Sequence, residues 1–478
     1  MAAYGVGRVC VFFVLYHTAF SQSSYSIPDV TIEVFSPKGV RVSIPDSPGV
    51  SLFVVHGNVN RDIKSNSVGT LKGEVLKATN GRWTYEDPNL VLKVGDVLNY
   101  YVYVAVNRVG YIKDNLSYSV QQLDSRFGTG GGTKEPVGEC LPTITRVNRG
   151  RACGGQTIFE DDFTSLRENL WKIEHYIPHS HPEHPFVSYQ RSMVSVGNGY
   201  LRIAPRVQQS LPGFDSDSIA SGSLDLAAEC TKRDECFQQA VDAYILPPVA
   251  SGRVTSDLAF TYGIVTVRAK LPLGDWLYPE ILLEPFAKRY GNSPYASGVL
   301  KIASARGNRE LRMGLDKYGN KVLYGGPVMD LECRSRLLDR KVLREGNAWA
   351  DAFHNYSVTW TPQYISLSVD SEEWMRVNTP PALHDQFPRE SCPTVQHANF
   401  RGRDNIAPFD DYFQIVLGVA AGGTTEFYDD TISSTGTGKP WRNKNAKAML
   451  YFWEDLSTWE QTWNNPELLI DSVKVVAL

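Results

Sequence analysis

The stretch from Tyr262 to Asn308, YGIVTVRAKLPLGDWLYPEILLEPFAKRYGNSPYASGVLKIASARGN, decides the fold. It reads as a strand, YGIVTVRAKLP, then the segment GDWLYPEILLEP, then a second strand, SGVLKIASARGN. Such strands suit the floor of a groove for a long, neutral, hydroxyl-rich ligand. A groove that hydrolyses glycosidic bonds needs two facing carboxyl groups, one kept protonated as acid and one ionised. The positions to inspect on the second strand are Val299, Lys301 and Ser304, and none carries a carboxyl group.

Working outward, 478 residues are too many for one ordinary domain and suggest two or three. A net charge of -4 with 42% hydrophobic residues fits a globular chain with no electrostatic bias toward nucleic acid or anionic membrane. Arg8, the apolar run Val9 to Tyr16, and the small residues Ala19 and Ser21 read as a signal peptide over 1–21 and predict secretion. That run is too short to span a membrane, and no other stretch is long and apolar enough to do so.

Setting Cys10 aside with the signal peptide leaves Cys140, Cys153, Cys230, Cys236, Cys333 and Cys392. An even number in an exported chain favours disulfides. Sequence proximity suggests Cys140 with Cys153 and Cys230 with Cys236, leaving Cys333 with Cys392, one of fifteen pairings open to six cysteines. The sequons Asn115-Leu116-Ser117 and Asn355-Tyr356-Ser357 make Asn115 and Asn355 candidate glycan acceptors, with an unmodified surface Asn as the alternative.

From Tyr25 to Leu123 short alternating strands are broken by turn residues. Expected strands include Val30 to Val34, Val40 to Ile44, Val50 to His56, Leu90 to Val94 and Leu98 to Val106. Their spacing predicts an immunoglobulin-like sandwich over 22–123. Residues 124–155, with Gly128, Gly130, Gly131 and Gly132, read as a linker. Neither GTGGGTK there nor TGTGKP ending at Pro440 has the spacing and context of a phosphate loop. Residues 156–478 form the larger domain, whose last strand, Leu468 to Leu478, is expected at or near a sheet edge.

Two regions resemble known families. IEVFSPKGVRVSIPD, SLFVVHGNVN, NGRWTYED and the run from Gly95 to Tyr111 resemble the family-39 carbohydrate-binding module of arthropod beta-1,3-glucan recognition proteins. In that family an Asp, a Trp and an Arg on one face engage glucan. The resemblance places Glu74, Tyr101 and Ile112 at those positions, with Tyr103 alternating onto the face of Tyr101, so tight glucan binding would lack its guanidinium donor. Trp83 and Tyr100 read as packed core.

The second region, from Thr157 on, carries IFEDDF, LWKIEHY, FHNYSVTWTPQYISLSVD, FQIVLGVAAGG and LLIDSVKVVAL, successive landmarks of family-16 glycoside hydrolases. The resemblance implies an all-β two-sheet jelly roll. It also implies that Val299, Lys301 and Ser304 stand where the family pattern E-x-D-x-x-E has its acids, with a bulge bringing the last onto the face of the first two. Trp276 and Tyr278 would be sugar-stacking residues of the cleft.

No cofactor or metal is expected. HYIPHSHPEHP, with His175, His179, His181 and His184, reads as a polar surface loop because Pro178, Pro182 and Pro185 keep it extended. Asp161, Asp162 and Asp471 are an alternative calcium set. The family implies a pattern-recognition protein of innate immunity that binds beta-1,3-glucan, lipopolysaccharide or peptidoglycan. It also implies signalling through an extracellular serine protease or a peptidoglycan recognition protein, toward Toll or melanisation. Two alternatives stand beside this reading. One is an adaptor with no sugar in its cleft. The other is an active glucanase using Glu280 and Glu284, which an extended strand would hold roughly 13 Å apart, beyond the ~5–9.5 Å that hydrolysis needs. Lys301 divides these cases: paired with an acid across the cleft it plugs the groove, and facing solvent it leaves room for a polymer.

Overall fold

The computed structural model describes residues 25–478 except 37, 66, 68, 80, 88–89, 108, 121–122, 126–139, 345 and 434. Residues 1–21, expected from the sequence to be a signal peptide, and the Gly-rich run at 128–132 lie outside the described residues. Two compact units emerge, Met1–Glu135 and Pro136–Leu478.

The first unit is a sandwich. One sheet has the order β4-β3-β6-β7, built from β3 (Val50–Val59), β4 (Leu71–Val75), β6 (Val97–Val106) and β7 (Val109–Ser119). The other has the order β5-β2-β1-β8, from β1 (Thr31–Ser36), β2 (Val40–Pro45), β5 (Arg82–Asp87) and β8 (Asp124–Ser125). Side-chain alternation explains the core: Phe53 and Val55, Val102 and Val104, and Val40 and Val42 point inward from the two sheets and are fully buried. Trp83 is core as expected, its indole N–H donating to Asp46 at 2.7 Å.

Leu90 to Val94 is not a strand, contrary to the sequence reading. Asp96 takes the Lys93 N–H at 2.9 Å, and the Leu90 carbonyl accepts from Gly39. These backbone groups are therefore satisfied without a ladder, while Leu92 anchors the loop in the core.

The second unit packs two eight-stranded sheets around one large core. Its concave sheet runs Trp171–Ile173, Arg253–Thr261, Phe413–Ala421, Leu277–Pro285, Val299–Ser304, Val322–Val328 and Asp339–Val342. The facing sheet is centred on Gly263–Lys270, which lies between Leu468–Val476 and His354–Trp360. All-β jelly-roll architecture is what the alternating patterns require.

Two corrections follow. The terminal strand Leu468–Val476 is interior, pairing with Thr157–Asp161, Tyr200–Ile203 and Gly263–Lys270. A bulge at Asp471 resets its alternation, so Leu468 and Ile470 before it and Val473 and Val475 after it are all buried. The segment from Cys140 to Gly155, read as linker, is built into the second unit. Its Val147 pairs with Phe260, and its Thr143 hydroxyl donates to the Leu478 carbonyl. The disulfides are Cys140–Cys153, Cys230–Cys236 and Cys333–Cys392.

Candidate functional site

Alternation along Leu277–Pro285 sends Ile281 and Leu283 into the core, and Tyr278, Glu280, Leu282 and Glu284 toward the concave face. Val299 and Lys301 join that face from the neighbouring strand. The register with both flanking strands shifts after Lys301, so a bulge at 302–303 lets Ser304 line the same cavity. Three residues that chain spacing alone would not align thus share one floor.

That floor is filled. Val299 packs with Leu282, Val416 and Tyr295 in a small apolar cluster. The Lys301 ammonium is buried, donating to Glu183 at 3.1 Å and to Glu426 at 3.5 Å. Arg306 clamps Glu426 from the other side at 3.1 Å. Burial alone would raise the Glu183 carboxyl, but the Lys301 charge, joined by His181, Arg334 and a hydrogen bond from Tyr295, outweighs it and holds the group down to about 2. Burial likewise opposes the Lys301 charge, and the two carboxylates more than restore it, so its pKa lies above the usual lysine value. Ser304 donates to the Pro279 carbonyl at 3.5 Å. The space these residues share with Val299, Tyr278 and Glu280 is about 20 Å³, room for about one water and no sugar, while on the Arg306 side Glu183, Lys301 and Ser304 also border a separate cavity of about 240 Å³. Lys301 is therefore paired across the cleft, and the groove is plugged at its centre.

Glu183 comes from the histidine-rich loop. His181 accepts the Glu183 N–H on Nδ1 at 3.1 Å, and the loop is held by Phe186, whose N–H donates to the Ala421 carbonyl. In the sequence this carboxylate stands among four histidines and carries no spacing signal of its own. The signal was present, since a lysine on a cleft floor demands an acid.

Glu280 and Glu284 do reach toward each other, by way of one guanidinium. Arg253 lies 3.4 Å from Glu280 and 2.5 Å from Glu284, and Tyr189 donates to Glu280 at 2.8 Å. Gly418 stands between Arg253 and Glu280 on the intervening strand, where a Cβ would come within 2.5 Å of the Glu280 oxygen. Burial pushes Glu284 up, but Arg253 holds it below the usual carboxylate range. A general acid must hold its proton near neutral pH, and Glu284 is set the opposite way.

The other expected cleft residues depart from their roles. Trp276 is 1% exposed, its ring packed edge-on against Phe427 and Trp441. Its φ of +69° is held by Asn308, which accepts its N–H at 3.1 Å. Tyr278 does line the small cavity, but at 2% exposure it offers no ring face to a sugar. Asp161 spends its oxygens on Trp171, Phe163 and Arg167, Asp162 accepts from Thr164, and Asp471 pairs with Arg268, so the three carboxylates of the calcium reading are each turned to other partners. Among the described residues no group of three or more His, Cys, Asp or Glu is placed to hold a metal.

In the first unit the outer sheet face gathers Glu74, Val54, Tyr103 and Ile112 into one cross-strand row. Tyr103 lies over Gly110, where a Cβ would meet its hydroxyl at 2.5 Å, so glycine is what lets the ring settle on the sheet. Tyr101 occupies the next row beside His56, with ring centroids 5.5 Å apart. It is covered, contrary to expectation: its hydroxyl donates to the Ser67 carbonyl at 3.0 Å and only 6% of it is exposed. Glu74 and Ile112 are exposed. Asn115 and Asn355 both lie on exposed strand positions.

Comparison with known proteins places these units. Residues 26–131 match the family described as carbohydrate binding domain (family 32), labelled CBM39, and residues 335–412 match glycosyl hydrolases family 16. Beta-1,3-glucan-binding protein of Hyphantria cunea is 53% identical, over 98% of this chain and 99% of its own. Beta-1,3-glucan-binding protein 1 of Manduca sexta is 35% identical over 95% and 96%. Gram-negative bacteria-binding protein 3 of Drosophila melanogaster is 30% identical over 95% of each. A solved laminarinase catalytic domain from Thermotoga petrophila covers 67% of this chain and 97% of its own, with 18% identity and a TM-score of 0.42. With identity running the length of both units, the chain belongs to the family of beta-1,3-glucan-binding and Gram-negative bacteria-binding proteins.

Proposed function

We propose that this chain is a secreted recognition protein that binds microbial wall polysaccharide and does not cut it. The carrying observation is the buried Lys301, bridged to Glu183 and Glu426 at the centre of the groove. A hydrolase would need two acids there, one raised in pKa. Instead Val299, Lys301 and Ser304 occupy the floor, and Glu280 and Glu284 are committed to Arg253. The chain is thus a glycoside-hydrolase frame with no acid at 299, 301 or 304 and its other groove acids held in ion pairs, and no cofactor enters the reading.

The ligand class comes from the relatives' names, which specify beta-1,3-glucan and Gram-negative bacteria. In the first unit the surface best suited to a sugar is the row of Glu74, Tyr103 and Ile112, with the flat Tyr103 ring as stacking platform. Downstream, an extracellular serine protease or a peptidoglycan recognition protein would take the signal. The adaptor reading is favoured by two observations, the covered Tyr101 and an apolar Ile112 where a donor is expected.

A pull-down on insoluble beta-1,3-glucan and on insoluble peptidoglycan, with full-length protein and Tyr103→Ala, separates the readings. Recognition predicts retention of the wild type on one polymer, reduced by Tyr103→Ala. Retention on neither, with capture of a peptidoglycan-binding protein, establishes the adaptor.

A further inference from the structure

Beside the plug lies a second cavity of about 240 Å³. Lys301, Arg306, Arg334 and Arg340 line it, with Tyr324 and Tyr428 on its walls. Three carboxylates share the lining, and two of them are already in ion pairs. Glu183 and Glu426 are taken by Lys301 and Arg306. Asp339 is exposed and accepts the Arg340 backbone N–H at 2.7 Å. Among the described residues, neither Arg334 nor Arg340 has an ion pair or a side-chain hydrogen bond. Two guanidinium groups therefore border the cavity, Arg334 half-buried with its charge felt by Glu183 and Arg340 exposed, and neither commits a donor to another side chain. We propose that this cavity binds an acidic sugar unit, a phosphorylated or uronate residue of a wall polymer, through Arg334 and Arg340.

The site is built rather than incidental. Arg334 follows Cys333, which is fixed by its disulfide to Cys392 and by its N–H donating to Asp330 at 2.8 Å. The same loop is tied down at Arg336, which donates to the Gln386 carbonyl at 2.9 Å. Arg340 sits on the Asp339–Val342 strand, paired in register with Tyr324. Arg306 is stacked between aromatic rings, 4.7 Å from the Tyr324 centroid and 5.2 Å from that of Tyr428. Planar guanidinium groups on fixed elements suit the bidentate geometry of phosphate and carboxylate and lose little freedom on binding. The tyrosines flank the place where a sugar ring attached to that anion would lie. This deepens the recognition reading by giving the second unit a ligand class of its own, distinct from the neutral glucan expected at Tyr103.

The test is ligand-observed NMR titration of the full chain with glucose 6-phosphate, glucuronate and glucose. The expected result is at least about tenfold tighter binding of one or both acidic sugars than of glucose, weakening as NaCl rises. The double variant Arg334→Gln/Arg340→Gln should bind all three alike, and its thermal transition checks that it folds. Preference for the phosphate or for the carboxylate identifies the acid. Equal binding of acidic and neutral sugars by the wild type overturns the proposal, as does a folded double variant that keeps the preference. Should that variant not fold, competition by inorganic phosphate against glucose 6-phosphate on the wild type decides: displacement supports the site and no displacement refutes it. Retention on insoluble beta-1,3-glucan is measured alongside, so the recognition reading stands or falls separately.

Discussion

Replacing Lys301 with methionine tests the plug where its energy is concentrated. Methionine keeps most of the side-chain volume and removes only the charge. Glu426 retains Arg306 at 3.1 Å, whereas Glu183 loses its only ion-pair partner among the described residues. Stranding one buried carboxylate costs about 3–5 kcal/mol, so Lys301→Met should lower the stability of the second unit by that order at pH 7. Adding Glu183→Gln removes the stranded charge and should recover most of the loss. The deficit should also shrink in acid, because an unpaired Glu183 takes up a proton well before the wild-type group does. Urea unfolding followed by tryptophan fluorescence reports this unit, since Trp83 is the one tryptophan outside it. If Lys301→Met is as stable as the wild type at pH 7, and Glu183→Gln changes nothing in its background, the ion pair does not hold the groove shut.

Four further outcomes follow from the same geometry. In wild type, Glu183 is depressed to about 2 against an ordinary value near 4.5, so its contribution is complete above about pH 4.5 and lost as pH falls toward 2; unfolding midpoints across that window should decline accordingly. Gly418→Ala puts a methyl against the Glu280 carboxylate and should destabilise the unit by about 1–3 kcal/mol, read by the same unfolding curves. Gly110→Val should lift the Tyr103 ring and weaken polysaccharide retention as Tyr103→Ala does, with folding checked by circular dichroism. Tyr101→Phe removes a hydrogen bond from a covered hydroxyl and should leave retention unchanged, with a stability loss of about 1 kcal/mol.

The fold was legible because period-two alternation and turn residues are local signals. Strand pairing is less local, and there the sequence misled. Leu468–Val476 has the composition of an edge strand, yet three partners cover it, because the bulge at Asp471 allows inward side chains on both sides of the break. Leu90 to Val94 alternates like a strand, but Asp96 offers its backbone a competing bond. The floor positions at 299, 301 and 304 could be assigned, since one strand and one bulge fix them. The identity of what faces them could not: Glu183 lies more than a hundred residues earlier in a loop whose histidines drew attention. Trp276 and Tyr278 show the general difficulty, since aromatic residues beside a groove look alike in sequence whether they face a sugar or, like Trp276, Trp441 and Phe427, one another.

The most direct measurement of the central claim is reducing-sugar release from laminarin by purified full-length protein. With Val299, Lys301 and Ser304 on the floor and the remaining acids paired, release should not exceed the buffer blank at any pH. Turnover above blank that disappears in Glu284→Ala would contradict the account and make the groove an active site.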